Sequence, residues 1–145
     1  MICDLGVDLV KQLEGFKEAV YKDVGGIKTI GYGHVILKNE KLTVRITGKQ
    51  AEIILNNDLK KAELSVRVLV KVHLNEHQMA ALTSFAFNVG THAFAHSHLL
   101  KSVNSGNLDA IKKDFLTFCT VKGKRVKGLE TRRRAELTLY LLGVK

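Results

Sequence analysis

The 145-residue sequence has no proline, no tryptophan and only two cysteines. Without proline, the ends of helices and strands must be found from glycines, capping residues and the spacing of apolar residues. Cys3 and Cys119 can form one disulfide at most, which excludes a disulfide-rich scaffold, and their wide separation excludes a zinc motif. We therefore expect two free thiols.

Long apolar runs are also missing from the chain. No run approaches the roughly 20 residues that a membrane-spanning helix needs. The N-terminal segment carries Asp4 and Asp8 where a signal peptide would have basic residues. The sequence therefore predicts a protein that is made in the cytoplasm without a leader, and its length favours one domain over two.

Positive charge is abundant. The chain has 23 Lys and Arg against 14 Asp and Glu, a formal net charge of +9, within a composition typical of globular proteins. This excess favours a polyanionic partner, which can be nucleic acid, a membrane surface or an anionic cell-wall polymer. Charge alone does not distinguish these partners.

The glycine-rich part of the chain separates two kinds of pattern. Helical spacing of apolar residues predicts a helix over residues 5–17, and Gly15 weakens that helix directly after Glu14. Residues 19–36 predict a small β-hairpin or meander, with Gly25 and Gly26 in its turn.

The rest of the chain has helical patterns. Two capping boxes, Thr47 with Gln50 and Asn75 with Gln78, predict the starts of helices that run to about residues 70 and 90. Shorter helices are predicted over residues 97–103, 108–118 and 129–142, the last after a basic loop at 121–128. The predicted fold class is therefore α+β and predominantly helical, with a small β region near the N-terminus.

Three polar residues around the glycine-rich turn can support glycoside hydrolysis, which needs a general acid and a base or nucleophile. Glu14 and Asp23 have eight residues between them, and Thr29 follows after five more. A helix end favours the protonated form of Glu14, the polar turn favours ionised Asp23, and the Thr29 hydroxyl can hold a water. The spacing leaves open the alternatives of a solvated helix residue, a turn former and an ordinary strand residue.

The segment EGFKEAVYKDVGGIKTIGYGH, residues 14–34, resembles the catalytic region of phage-type lysozymes, glycoside hydrolase family 24. Three further segments resemble this family in the same order: ITGKQAEIILNNDL, ALTSFAFNVG and GLETRRRAEL. The resemblance implies one lysozyme-like domain over residues 1–145. It places a β lobe at about 15–46 and a helical lobe at about 47–145 plus the N-terminal helix. The substrate cleft would lie between them, and a long helix would begin near Gly48.

The resemblance also implies a reaction and its residues. Family members hydrolyse the β-1,4 bond between N-acetylmuramic acid and N-acetylglucosamine in peptidoglycan, usually with inversion. By this likeness Glu14 is the general acid, Asp23 orients or activates the water, and Thr29 helps to place it. An arginine lies near the acid in this family, so Arg132 or Arg133 is the candidate, and it would favour the Glu14 anion. The other predicted substrate-binding residues are Tyr32, His34, Asn88 and Gly90.

The likeness implies peptidoglycan as the substrate, and the positive charge favours contact with an anionic wall or outer-membrane surface. No nucleic acid or cofactor is expected, and a monomer is the default expectation. A separate holin pore would let an enzyme made in the host cytoplasm reach the periplasm or cell wall. Related endolysins often have a tryptophan where this chain has Cys119, which predicts a small core residue there.

Four other interpretations remain. A nucleic-acid-binding module would use the basic residues 122–134, but no nucleic-acid-binding motif accompanies them. A lysis protein could disrupt membranes with its basic C-terminal helix. A lytic transglycosylase would cut the same bond by internal attack, whereas Asp23 and Thr29 favour water. The spacing of His92, His96 and His98 is compatible with a metal, yet this hydrolysis needs none, so no metal is predicted.

Overall fold

The computed structural model describes residues 4–23, 25–37, 40, 45–142 and 144, and within them it contains seven helices and five strands. The helices are α1 (Asp4–Glu14), α2 (Gly48–Leu69), α3 (Glu76–Val89), α4 (Thr91–Ala95), α5 (His98–Ser105), α6 (Leu108–Phe115) and α7 (Lys127–Leu142). The strands are β1 (Lys17–Lys22), β2 (Lys28–Gly31), β3 (His34–Val35), β4 (Thr120–Val121) and β5 (Lys124–Arg125). The predicted α+β class with helices dominant is confirmed.

A single residue makes the change from α1 to the sheet. Gly15 has φ = 69°, a left-handed conformation that glycine adopts without a Cβ penalty, and its N–H donates to the Lys11 carbonyl at 2.9 Å. The helix therefore ends at Glu14, three residues before the predicted end. The chain then enters an antiparallel sheet in the order β1, β2, β3, in which Tyr21 pairs with Thr29.

Both predicted capping boxes are present. The Thr47 hydroxyl accepts the Gln50 N–H at 3.1 Å, and the Gln50 side chain accepts the Thr47 N–H at 2.8 Å. Asn75 and Gln78 exchange the same pair of bonds at 2.9 and 3.0 Å. Because these bonds satisfy N–H groups that lack partners inside the helix, they fix where α2 and α3 begin. Helix α2 starts at Gly48, as the family likeness predicts.

Several predicted elements differ from the structure. The histidine-rich stretch after Gly90, where no helix was predicted, forms the short helix α4, and the helix predicted to end at residue 118 ends at Phe115. The predicted basic loop contains the β4–β5 hairpin, and α7 begins two residues before the predicted start. Lys122 and Gly123 both have positive φ, 52° and 79°, as a two-residue hairpin turn needs. Lys-Gly is not a typical sequence signal for this turn, which explains the error.

The main core is aromatic and lies among the helices. Phe85 of α3 is fully buried and meets Phe94, Phe115 and Phe118 edge-on, with ring centroids 6.1, 5.8 and 5.2 Å apart. Such edge-to-face contacts are favourable beyond the area that they bury. Helix α3 also packs on α1, α2 and α7. It thus forms the centre of the fold, and its C-terminal end reaches the site described below.

Two sequence predictions concern residues that the structure describes only in part. Cys119 is buried and free, in agreement with a small core residue, whereas Cys3 lies outside the described residues. Residues 38, 39 and 41–44, near the end of the predicted β lobe, also lie outside them. Among the helices that are described, none combines the length and apolar character required to span a bilayer.

Candidate active site

A cleft of about 670 Å³ opens between the end of α1, the sheet, the end of α3 and the start of α7. Its lining includes Glu14, Asp23 and Thr29. The structure thus brings together the three residues that the sequence predicts as catalytic. Each is positioned by a different element: a helix end, a turn and a central strand.

Glu14 is the last residue of α1, and its carboxyl group is held from two sides. Oε1 accepts a hydrogen bond from Nη1 of Arg132. Oε2 lies against Gly33, where any Cβ would overlap the carboxyl group. Gly33 also has φ = 73°, so both its backbone conformation and its missing side chain are required. The Glu14 side chain keeps 16% of its surface exposed, which leaves it accessible from the cleft.

Arg132 is in turn held by a buried polar cluster on α3 and α7. Its side chain is 6% exposed, and Nε lies 3.3 Å from Oε2 of Glu136. The same Glu136 oxygen accepts the Ser84 hydroxyl at 2.6 Å. Burial raises the pKa of Glu136, while the neighbouring guanidinium groups and Ser84 oppose this by stabilising its anion. The cluster therefore restricts the position of the guanidinium that contacts Glu14.

Arg133 completes this cluster behind the cleft. It is fully buried, and Nη2 donates to Oδ1 of Asn88 at 2.8 Å. Its Nε lies 2.8 Å from Oε1 of Glu136, an ion pair in which the N–H is poorly aligned with the oxygen. Burial lowers the pKa of Arg133 to about 10, so its guanidinium remains charged at neutral pH. The guanidinium also lies 4.8 Å from the centroid of the Phe85 ring, which links the cluster to the aromatic core.

Asp23 is held by the backbone of its own turn. Oδ1 accepts the N–H groups of Gly25 and Ile27, both at 2.9 Å, and the Asp23 N–H donates to the Ile27 carbonyl at 2.9 Å. Side chains that bind the backbone of the following residues are typical of such turns. Oδ2 has no hydrogen bond to any residue in the described part of the chain. It is therefore available to a water or substrate in the cleft.

Thr29 and Tyr21 are neighbours across β1 and β2, and both line the cleft. The Thr29 hydroxyl donates to the Ile27 carbonyl at 2.8 Å, so its oxygen can still accept a hydrogen bond. Burial raises the pKa of Tyr21, and the nearby Glu14 and Asp23 anions raise it further. Its phenol therefore stays protonated and can donate. Tyr21 was not predicted as a site residue from the sequence. The available signal was strand alternation, which places residues two positions apart, here Tyr21 and Asp23, on the same side.

Asn88 and Arg132 also line the cleft, whereas the four other predicted binding residues do not. His34 and Gly90 line a smaller hollow of about 220 Å³ beyond Gly33. Tyr32 packs against Phe16, with ring centroids 5.6 Å apart, and lies outside the described cleft lining. Arg133, as described above, stands behind the cleft and acts on it through Asn88.

His34 joins the sheet to α2. Nδ1 lies 2.7 Å from Oδ2 of Asp58, and Nε2 lies 2.8 Å from Oε2 of Glu40. The hydrogen bond with Asp58 raises the pKa of His34, burial opposes it, and the Asp58 and Glu40 charges add to the rise. A protonated imidazole donates from both nitrogens, so both contacts are satisfied in that form.

The cleft is the middle of a longer groove. A hollow of about 530 Å³ on one side shares Asp23, Asn88 and Leu129 with it. The smaller hollow on the other side shares Gly33, Val35 and Phe87. Three adjoining hollows with the two carboxyl groups in the middle suit an extended chain better than a small molecule.

The three histidines considered for a metal, His92, His96 and His98, line none of the hollows of this groove. His92 and His96 stand one helical turn apart at α4, with ring centroids 4.4 Å from each other, and His98 begins α5. Within the described residues, no group of three or more His, Cys, Asp or Glu side chains has an arrangement that could hold a metal ion.

Comparisons with known proteins identify relatives across nearly the whole chain. The family model described as phage lysozyme matches residues 11–136. An endolysin of Acyrthosiphon pisum secondary endosymbiont phage 1 is 35% identical over 143 residues, 96% of this chain and 97% of that protein. An endolysin of Bacillus phage B103 is 38% identical over 144 residues, 98% of this chain but 54% of that protein, so this chain spans about half the length of that relative. The solved structure of an endolysin from Escherichia coli O157:H7 phage FAHEc1 is 35% identical, with a TM-score of 0.84 over 97% of this chain and 93% of that one.

Proposed function

The chain belongs to the phage lysozyme family, and we propose that it is a glycosidase that degrades peptidoglycan by hydrolysing the β-1,4 bond between N-acetylmuramic acid and N-acetylglucosamine. The observation that carries this proposal is the presence of Glu14, Asp23 and Thr29 in the lining of one cleft. Two carboxyl groups that face one space are what this chemistry requires. The groove on both sides of the cleft provides room for a glycan chain.

Glu14 is the proposed general acid. Its carboxyl proton passes to the glycosidic oxygen as the bond from that oxygen to the anomeric carbon breaks. The carboxylate that remains is stabilised by the Arg132 guanidinium, which already contacts Oε1. Arg132 is thus a positioning residue whose charge favours the state of Glu14 after proton transfer.

Asp23 and Thr29 are the proposed water site. Oδ2 of Asp23 has no hydrogen-bonding partner among the described residues, and the Thr29 oxygen can accept a hydrogen bond. A water held by both could attack the anomeric carbon from the face opposite the leaving oxygen, while Asp23 takes its proton. This route inverts the configuration at that carbon.

The other predicted binding residues become proposals about where the glycan lies. Asn88 and Arg132 would contact the sugars next to the broken bond, because they line the cleft. His34 and Gly90 would border a more distant sugar in the smaller hollow. Tyr32 keeps its predicted role as a substrate contact only as a hypothesis, since the structure places it against Phe16.

Digestion of purified peptidoglycan tests the reaction. Glu14→Gln and Asp23→Asn preserve shape and remove the acid or base, so we expect each to lose activity by about 10²–10⁴-fold. Asp109→Asn, on the exposed surface of α6, is the matched control and should retain full activity. Undiminished activity in Glu14→Gln would exclude the proposed acid.

The products test the bond and the stereochemistry. Mass spectrometry should find N-acetylmuramic acid at the new reducing ends, and NMR of the first product should show an inverted anomer. Anhydro-muramic ends would assign a lytic transglycosylase instead. N-acetylglucosamine at the reducing ends would assign cleavage of the other glycosidic bond.

The proposed setting is lysis of a bacterial host. The similar proteins named above are called endolysins, which supports action on a bacterial cell wall. The proposal includes a monomeric protein and its release to the wall through a separate holin pore. Expression in a bacterium with and without a holin tests this setting. Lysis that needs the holin supports the proposed route, and lysis without one contradicts it. Gel filtration with light scattering would test the monomer.

A further inference from the structure

The outward side of α2 carries large apolar side chains that no other described element covers. The helix packs inward through a buried row: Ala51, Leu55, Leu59, Ala62 and Val66. On the opposite side Ile53, Leu64 and Val68 are 56%, 61% and 60% exposed. Residues 11 and 15 positions apart lie close to the same side of a helix, so these three form a stripe roughly 22 Å long that exposed Asn57 interrupts between Ile53 and Leu64.

Cations border this apolar stripe. Helical geometry places Lys49, Lys60 and Arg67 along one edge and Lys61 along the other, and all four side chains are exposed. We call these seven residues the outer α2 face. Within the described residues, the three lysines form no ion pair, so their charges face solvent.

The acidic residues of α2 do not neutralise the outer α2 face. Glu52 pairs with Lys11 of α1, and Asp58 pairs with His34 of β3. Glu63 is buried and binds Arg67 at 2.8 Å, which compensates one cation of the four. The helix therefore presents a net positive surface in which apolar side chains are embedded.

We infer that the outer α2 face docks on an anionic phospholipid bilayer. Lysines alone would suit any polyanion, including nucleic acid or an anionic wall polymer. Exposed Ile53, Leu64 and Val68 gain only where they can leave water, and a bilayer interface offers acyl chains directly beneath anionic headgroups. The combination on one helix side distinguishes a lipid surface from a purely polar polyanion.

Docking in this orientation leaves the catalytic cleft open. None of the seven residues lines the main cleft, and only Lys61 borders the small hollow beyond Gly33. The protein can thus rest on a membrane through α2 while the groove remains accessible to another polymer. The inference is independent of the proposed hydrolysis, since Glu14→Gln should bind vesicles as the wild type does.

Vesicle co-sedimentation of the full chain tests the inference. We expect binding to phosphatidylglycerol-containing vesicles at physiological salt and little binding to phosphatidylcholine alone. Leu64→Asn should weaken binding about fivefold to tenfold, because a partly inserted leucine is lost. Lys49→Gln with Lys60→Gln should weaken it about 25-fold, at roughly fivefold for each cation.

Matched variants elsewhere on the surface provide the controls. Leu142→Asn removes a leucine that is 68% exposed on α7, and Lys112→Gln with Lys113→Gln removes two exposed charges from α6. These controls should bind as the wild type does. Circular dichroism and activity on purified peptidoglycan verify that each variant is folded.

Each other outcome overturns the inference. If the wild type does not bind anionic vesicles, or if the α6 charge control weakens binding as much as the α2 charge variant, the outer α2 face is no specific lipid site. If the charge variant weakens binding but Leu64→Asn does not, the face attracts polyanions without inserting into lipid. If only Leu142→Asn weakens binding, the C-terminal helix makes the contact instead.

Discussion

The two carboxyl groups of the cleft are held in different ways. Glu14 at the end of α1 is fixed by Arg132, which is 118 residues away in the chain. Asp23 in the turn between β1 and β2 is fixed by N–H groups two and four residues further on. The proposed acid thus depends on the complete fold, whereas the proposed base depends on its own turn. Damage far from the cleft should therefore affect the acid more than the base.

The parts of the fold that support Glu14 and Asp23 also differ. The acid is supported by a buried ionic cluster within the helical core, where Glu136 is surrounded by Arg132, Arg133 and Ser84. The sheet next to Asp23 packs on α2 through the buried residues Ile30 and Ala51, and the partly exposed pair of His34 and Asp58 adds a polar link between them. The first support is rigid and sensitive to substitution, and the second is sensitive to pH.

The largest expected effect comes from breaking the support of the acid. Arg133→Met leaves buried Glu136 with one cationic partner fewer, removes the hydrogen bond to Asn88, and should lower the free energy of unfolding by about 3–5 kcal/mol. Urea denaturation measures the loss. An effect below about 1 kcal/mol would show that the cluster carries little stability.

A double-mutant cycle with a second substitution, at Glu136, is the control for the Arg133→Met experiment. Glu136→Leu in the Arg133→Met background removes the stranded carboxylate and should recover part of the lost stability, because well-packed apolar residues often replace a buried ion pair at little cost. Arg132 would then lose its own partner, so the recovery should be incomplete. Full additivity of the two single effects would contradict a shared cluster.

The next largest effect should come from displacing the Glu14 carboxyl group while leaving Glu14 itself unchanged. Gly33→Ala places a Cβ where the Glu14 carboxyl group lies, and its positive φ adds strain of about 1–2 kcal/mol. We expect activity on peptidoglycan to fall about 10²-fold, because small misplacements of a reacting group are costly. Asp23 and its turn are untouched by this change.

Gly106→Ala, at the end of α5, is the control for that experiment. Gly106 also has a positive φ, 71°, but no atom lies near its missing Cβ, and it lies outside the cleft lining. It should therefore show a similar loss of stability with much less loss of activity. Equal losses of activity in both variants would mean that backbone strain, not displacement of Glu14, is responsible.

The same contrast explains what could be predicted from the sequence. The turn around Asp23 and the caps of α2 and α3 depend on residues at most five positions apart, and their patterns were readable. The choice between Arg132 and Arg133 was not, because it depends on how α7 packs against α1. Glu136 escaped notice for the same reason, although its spacing of three and four from the arginines was a signal. The family likeness supplied the distant contact that local patterns lack.

A smaller and pH-dependent effect should come from His34, which anchors the Asp23 side of the cleft. Asp58 and Glu40 raise its pKa, so its contribution is fully present below the unfolded value of about 6.5 and is lost as pH rises through the folded pKa. His34→Gln should therefore cost about 2 kcal/mol near pH 5 and less at alkaline pH.

Urea denaturation of both proteins across this range measures the difference. Towards strong acid the effect should shrink again, because Glu40 has a lowered pKa and its share is lost as pH falls through that value. Burial opposes the lowering, but the hydrogen bonds from the Leu37 N–H and His34 outweigh it. A cost that is the same at every pH would assign the effect to packing and not to charge.

The smallest expected effect tests whether the two regions cooperate. Tyr21 lies near both carboxyl groups, and burial together with those charges raises its pKa, so its hydroxyl remains a donor at working pH. Tyr21→Phe should lower kcat about fivefold if that hydroxyl helps to hold the water, since one neutral hydrogen bond contributes about 1 kcal/mol. Tyr140→Phe, buried in the core beside Phe115, is the control and should keep kcat unchanged. A change in KM with unchanged kcat would instead make Tyr21 a sugar contact. In that case Tyr21 would not connect Glu14 with Asp23 in the chemical step.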